Sequence, residues 1–430
     1  MIFIFNFCDA QQKYSNNWYF GNYAGLNFDT DPPTVLTDNI LKGSIFLCAN
    51  SKKGDLLFYT SEQGFYLYNK NHQPFDPFHS YFPITIPFRN NDNLFYILKN
   101  DFKGMDSVIF QYDIVDMTKN GGLGGIVGTT ANFAQGELSF YYAVTGTADN
   151  KGSWFLTQSI DQSSILCYKF TETGVDSIPV VSNTGMYDKD KSGNGIIAKF
   201  SSKSNKVAIQ SPLGFYVYDF NKYLGVVSNP LYIGISDGTE CAFSLNERFL
   251  YYGKTLIAGQ LYSLIQFDLL TKTEIIIRDS SQMNIQMARN GKIYFASYGK
   301  KHIGVINQPD KQGFACEIHD SLLYLQSGEA MGFFPAFVES FMQPPDMENF
   351  GTCEGDNTHF WFTDTTLIQS ISWSFGDSHS SSAVEPYHKY ATQGTYSVLC
   401  TILTKQGETL HYNKDVKIYP PTKKLVIKHE

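Results

Sequence analysis

Six segments of the chain repeat one grammar: a short apolar run, a polar loop, then a second apolar run ending in an aromatic and a polar residue. They begin at Gly54, Asn93, Gly152, Ser204, Glu247 and Gly291, as in "GDLLFYTSEQGFYLYNKN" and "SNKVAIQSPLGFYVYDFNKYLG". Two apolar runs joined by a polar turn predict a β-hairpin. Ahead of three of these hairpins, "AKFSSKSNK", "CAFSLNERF" and "IQMARNGK" each place a large apolar residue before a polar turn, which predicts a preceding inner strand. "TEIIIRD" at 273–279 predicts a fourth, outer strand. Successive starts lie about 39, 59, 52, 43 and 44 residues apart, close to the period of a four-stranded propeller blade.

The two ends of this region complete the pattern. "NNWYFGNYAGLNFDTDPPTVLT" (16–37) supplies two middle strands and an outer one, with no inner strand before them. "MGFFPAFVES" (331–340) reads as an inner strand with no partners after it. Setting 332–338 beside the strand of Trp18 closes a ring and removes the open edges. The expectation is an all-β chain whose residues 11–342 form a β-propeller of about seven blades. Six or eight blades, or an open array of sandwiches, are the competing readings.

"QPPDMENFG" predicts a polar linker over 343–352. Residues 353–421 then read as short alternating strands of an immunoglobulin-like β-sandwich, with 422–430 as a tail. Tyr396, Val398, Cys400 and Ile402 fall on one face, and so do Ile371, Trp373 and Phe375. Trp373 is therefore expected in the core, packed with Tyr396 and Val398 across the two sheets.

The stretch "WSFGDSHSSSAVEPYHKYATQGTYSVLCTI" resembles the PKD domain, an immunoglobulin-like module. The resemblance rests on Trp373, Phe375, Gly376, Asp377, Pro386, Tyr390, Gly394, Thr395 and Tyr396, at matching spacing. It departs at Ser378, where the family usually has glycine, so a less tight turn is expected there. In similar proteins such modules serve as spacers or adhesive units.

Composition supports the β reading, because charged residues are 17% of the chain while aromatics reach 16%. A net charge of −8 without a basic stripe sets nucleic acid aside. No apolar run approaches the roughly 20 residues of a membrane-spanning helix. The start, "MIFIFNFCDAQQ", reads over residues 1–10 as the remnant of an export signal; a buried strand is the alternative. Seven cysteines show no CxxC spacing and read as core thiols. For Cys353 and Cys400 a disulfide and two free thiols both stay open.

With "CEGDNTHF" ahead of the module, the whole layout resembles exported Bacteroidetes surface proteins in which a propeller precedes PKD domains. Many of those use type IX secretion and carry a sorting domain. The ending "DVKIYPPTKKLVIKHE" leaves no room for one, which puts passage across the outer membrane in doubt.

Candidate chemistry is sparse. In "DKDKSGNG", Asp188, Asp190 and Ser192 alternate as in a calcium loop, but the twelfth position is Lys199 instead of glutamate, so a solvated turn is the better reading. Asp29 and Asp31 in "FDTDPP" read as a turn. "GGLGG" (121–125) lacks the Lys and Ser/Thr of a phosphate loop. None of the nine histidines pairs at metal-ligand spacing with another His or Cys. Carboxylate pairs drawn from different blades are invisible in sequence; Asp92, Glu137 and Glu240 are the candidates, each with a loop reading beside it. No catalytic, metal or cofactor-binding residue is nominated. The expected function is non-enzymatic binding of an extracellular glycan or protein, as a monomer or part of an envelope complex. The alternatives are a structural subunit of secretion or gliding machinery, and a propeller glycosidase or lyase.

Overall fold

The computed structural model describes residues 13–420, apart from 41, 44–46, 61–65, 79, 81, 104–106, 187–196, 212, 235–239, 258–260, 281–282, 344–345, 363–367 and 405–408. The described residues form antiparallel strands and three short 3-10 turns, and no helix among them is long and apolar enough to cross a membrane. The chain divides into two compact units, at 13–344 and from 345 onward.

The larger unit carries seven sheets in chain order, and it is a seven-bladed propeller. The first blade has three strands, Asn17–Phe20, Ala24–Asn27 and Thr34–Leu36. Inner strands of the other blades are Leu47–Asn50, Ile84–Pro87, Ala143–Gly146, Ile197–Phe200, Cys241–Phe243 and Met283–Met287. Each of the six repeated segments forms the two middle strands of one blade, as in Lys206–Ser211 paired with Gly214–Asn221. Middle and inner strands are covered on both faces by neighbouring blades, so Ser153–Gln158 is buried at every position. Such strands read as continuous apolar runs, whereas an outer strand such as Val226–Gly234 is buried at only two positions.

A hydroxyl closes the inner turn in several blades. The Ser201 hydroxyl accepts the Lys206 amide at 3.0 Å, Ser244 accepts that of Phe249 at 2.9 Å, and Thr147 accepts that of Gly152 at 3.0 Å. Each satisfies a backbone donor that would otherwise be stranded in a dry corner. In the seventh blade Ala288 stands at this position, and the side chain of Asn290 accepts the Lys292 amide at 3.3 Å in place of a hydroxyl.

Ring closure differs from the expected strand pairing. Residues 331–340 form no strand beside Trp18. Instead they return across the ring as an irregular segment that touches several blades in turn. Asn22 and Glu329 exchange backbone hydrogen bonds at 2.9 and 2.8 Å. Ala336 makes a parallel bridge to Leu47 of the second blade. Gln286 of the seventh blade donates to the Pro335 carbonyl at 2.9 Å, and Ser15 donates to that of Phe341 at 2.8 Å. Trp18, fully buried, covers the segment through Phe334 and Phe337, with ring centroids 5.2 and 6.4 Å away. The entry of this segment is fixed at Gly21, whose φ of 54° lets the chain approach Glu329 closely. A Cβ there would sit 2.0 Å from the Glu329 carbonyl oxygen. The first and last blades are further joined by Lys292–Asp31 at 2.8 Å, and Asp29 pairs with Lys13 at 2.7 Å.

The smaller unit is a two-sheet sandwich. One sheet contains Met347–Phe350, Asn357–Phe362 and Tyr387–Lys389; the other contains Ser380–Ser381, Ile368–Ser374, Gly394–Thr404 and Thr409–Ile418. Met347–Phe350 is its first strand, so the stretch 343–352 is not a linker throughout. The expected faces hold: Trp373, Val398 and Cys400 are buried, while Leu399 is exposed. One expected contact is corrected. Trp373 and Val398 lie in the same sheet, with Trp373 opposite Cys400 in register, and the partner across the sandwich is Phe360. Tyr396 sits at the rim against Tyr390, with centroids 4.2 Å apart. Cys353 and Cys400 are free thiols. The N-terminal remnant at 1–10, the acidic turn with Asp188, Asp190 and Ser192, and the tail at 422–430 lie outside the described residues.

Trp373 is almost fully buried, and its indole donates to the Ala383 carbonyl at 2.9 Å. Trp373→Ala should lower the sandwich's stability by about 3–5 kcal/mol, as truncation of a buried aromatic does. Urea unfolding followed on both units should show the propeller transition unmoved. A sandwich loss below about 1 kcal/mol would contradict this packing.

Candidate functional site

At the inner ends of the third to sixth blades the ring leaves a cavity of about 770 Å³, its open mouth included. The inner strands starting at Ile84, Ala143 and Ile197 supply three sides, Glu240 enters just ahead of Cys241–Phe243, and the return segment closes the remaining side. Aromatic side chains form much of the wall. Phe82 packs on Tyr141 at 5.1 Å and on Phe333 at 6.4 Å, and Phe334 and Phe337 complete it. The Tyr142 hydroxyl donates to the Phe82 carbonyl, fixing the wall to the loop before the third blade.

The polar part of the lining is Lys199, Glu240 and Glu339. Lys199 Nζ lies 2.8 Å from Glu339 Oε1, with side-chain exposures of 12% and 8%. It also reaches Gln286 Oε1 at 3.4 Å. Breaking such a buried pair from one side leaves an uncompensated charge and costs about 3–5 kcal/mol. Burial alone would favour a neutral Lys199, but the carboxylates of Glu339 and Glu240 outweigh it and hold the amine above its usual pKa. Burial raises Glu339, with Lys199 partly offsetting it. Burial also raises Glu240; Lys199 opposes this, Glu339 adds to it, and the group is pushed up to about 7. The cavity thus joins an ammonium–carboxylate pair to a second carboxyl that holds or releases a proton near neutral pH.

Residues 347–418 match the PKD domain family. No curated relative matches the chain. Among solved structures, the PKD1 domain of the Vibrio cholerae metalloprotease PrtV shares 26% identity over 17% of this chain and 93% of its own, with a TM-score of 0.16. A Lactobacillus plantarum protein shares 10% identity over 74% of this chain and 98% of its own, with a TM-score of 0.44. The Pseudomonas aeruginosa periplasmic gluconolactonase PpgL shares 10% over 74% and 99%, with a TM-score of 0.43.

In the PKD domain the motif residues are structural. Phe375 and Tyr390 are buried, and the Tyr390 hydroxyl donates to the Phe375 carbonyl at 3.0 Å. Gly376 has φ of 80°, and a Cβ there would meet the Ser397 carbonyl oxygen at 2.7 Å, so glycine is required. Ser378 also takes a left-handed φ, 72°, which explains why glycine suits that position. The Pro386 carbonyl accepts the Phe360 amide at 2.9 Å, extending the pairing of Tyr387–Lys389 with Asn357–Phe362. Gly394 opens the strand that carries Thr395 and Tyr396, and the Tyr396 hydroxyl donates to Thr392 at 2.9 Å. Asp377 accepts from His388 instead of serving the turn alone.

Of the three propeller carboxylates singled out from sequence, only Glu240 lines the cavity. Asp92 faces Lys52 at 3.9 Å, and Glu137 is exposed. Lys199 and Glu339 were not singled out for this role. A signal for each exists: a lysine inside the apolar "GIIAKF" and a glutamate ending the apolar "MGFFPAFVES". A charge inside a buried run needs a partner, and these two supply each other.

Glu240 has a folded pKa near 7 against an ordinary value of 4.5. Its contribution to stability is therefore fully present below the lower value and is lost as pH rises through the higher one. Glu240→Gln removes that ionisation. Relative to the parent protein, its melting temperature should rise progressively between about pH 5 and about pH 8. An offset that is the same at both ends would contradict the assignment.

Proposed function

We propose that the protein binds the terminal sugar of a glycan in the central cavity, as a secreted or cell-envelope binding protein. In this reading the propeller is the recognition head and the PKD domain a spacer or second adhesive module. The observation that carries it is an aromatic wall set over three charged groups in one cavity. Sugar rings present apolar C–H faces that pack on aromatic rings, and hydroxyls that donate to carboxylates and accept from an ammonium. The match to the PKD domain supports an extracellular or periplasmic location for this binding.

One observation favours a second reading. Two carboxylates share the cavity, and one is pushed up to about 7, as a general acid of glycoside cleavage would be. A glycan array combined with a reducing-end assay separates the two. The binding reading expects retention of a glycan, weakened about tenfold or more by Tyr141→Ala, with no new reducing ends. Reducing ends released by the parent protein and not by Glu240→Gln would replace it with the enzyme. Retention of a protein instead of any glycan would overturn the choice of sugar.

A further inference from the structure

Independently of the propeller cavity, the PKD domain brings Asp377, His379 and His388 together, with one ligand atom from each lying within 4.8 Å of the others. We propose that these three side chains form a binding site for a divalent transition-metal ion of the zinc class. His388 Nε2 lies 2.7 Å from Asp377 Oδ2, and His379 Nδ1 lies 3.3 Å from Asp377 Oδ1.

Two of the ligands are held in place before any ion arrives. The His388 ring stacks on Phe375 with centroids 4.2 Å apart and planes 2° apart, and stands edge-on to Tyr390 at 4.5 Å. Its Nε2 is thereby aimed at Asp377. The Asp377 carboxylate is fixed in turn by the His379 backbone amide, which donates to Oδ1 at 3.2 Å. The tight turn between Gly376 and Ser378 folds His379 back over the same carboxylate, and the Phe375 amide bonds the His379 carbonyl at 3.0 Å. The third ligand is adaptable, since the His379 side chain is 73% exposed.

The chemistry selects the ion. Ligand atoms of a tetrahedral zinc site stand about 3.4 Å apart. Here His379 Nδ1 and His388 Nε2 approach different oxygens of Asp377, with one atom from each of the three residues within 4.8 Å of the others, so a small adjustment brings them to that spacing. The His388–Asp377 hydrogen bond gives way when the ion enters. Two imidazole nitrogens and one carboxylate suit zinc, nickel or copper, whereas calcium takes six to eight oxygens. Three protein ligands on the domain surface leave a fourth position for water or for a donor from a partner. An Asp–His hydrogen bond by itself would hold the turn; His379 is what converts it into a three-ligand face.

The test is zinc titration of the full chain by calorimetry, with visible absorption of added Co2+ as the geometric probe. One equivalent of Zn2+ should bind, and Co2+ should show the intense bands of a four-coordinate site. His379→Ala, an exposed change that leaves the Asp377–His388 pair intact, should weaken binding about tenfold or more. His411→Ala, which alters an exposed histidine elsewhere on the domain, should leave it unchanged. Zinc binding that survives His379→Ala undiminished, or no binding to the parent protein, would overturn the site.

Discussion

The structure depends on one constraint, that the first blade has no inner strand of its own. Its inner side has to be covered by chain arriving from the far end of the propeller. Residues 329–342 do this, bonded to Asn22, packed under Trp18 and bridged to Leu47. A regular strand would cover one blade, whereas an irregular segment pinned to the first, second and seventh blades ties the ring together at several points. The inner side of the first blade is thereby covered by chain from the far end of the propeller.

The same segment creates the cavity. Phe333, Phe334, Phe337 and Glu339 reach the ring centre because the chain has to cross it to close the propeller. Glu339 would be untenable there without Lys199, and Lys199 would be untenable in its inner strand without Glu339. Closure and site are therefore one arrangement. Glu240 sits beside a charge pair that is already satisfied, so its proton is the one left to respond to pH or to a ligand.

Much of the fold was legible in sequence, because blade strands buried on both faces leave long apolar runs punctuated by polar turns. The six hairpins and the outer strand at 273–279 fall where the pattern places them. The run at 331–340 misled for a physical reason. Its apolar residues serve a crossing path, and apolar content alone does not distinguish that path from a strand. The PKD motif predicted the alternating burial around Trp373 and Val398, but alternation within a strand does not say which sheet a strand joins. Hence Phe360, and not Val398, faces Trp373 across the sandwich. The cavity was nearly invisible, since Lys199, Glu240 and Glu339 lie far apart in the chain and meet only through ring closure. The Asp377, His379 and His388 group was hidden similarly, by a turn and by packing between the two sheets that bring an eleven-residue separation into contact.

Site-resolved hydrogen exchange at Asn22 and Glu329 tests the closing role of the return segment most directly. Their amides bond each other's carbonyls at 2.9 and 2.8 Å across the whole length of the propeller chain. If the segment locks the ring, both amides exchange only when the propeller unfolds, at the slow rate of middle-strand amides such as that of Phe155. Exchange at the rate of exposed loops, with the blade strands still protected, would contradict the account.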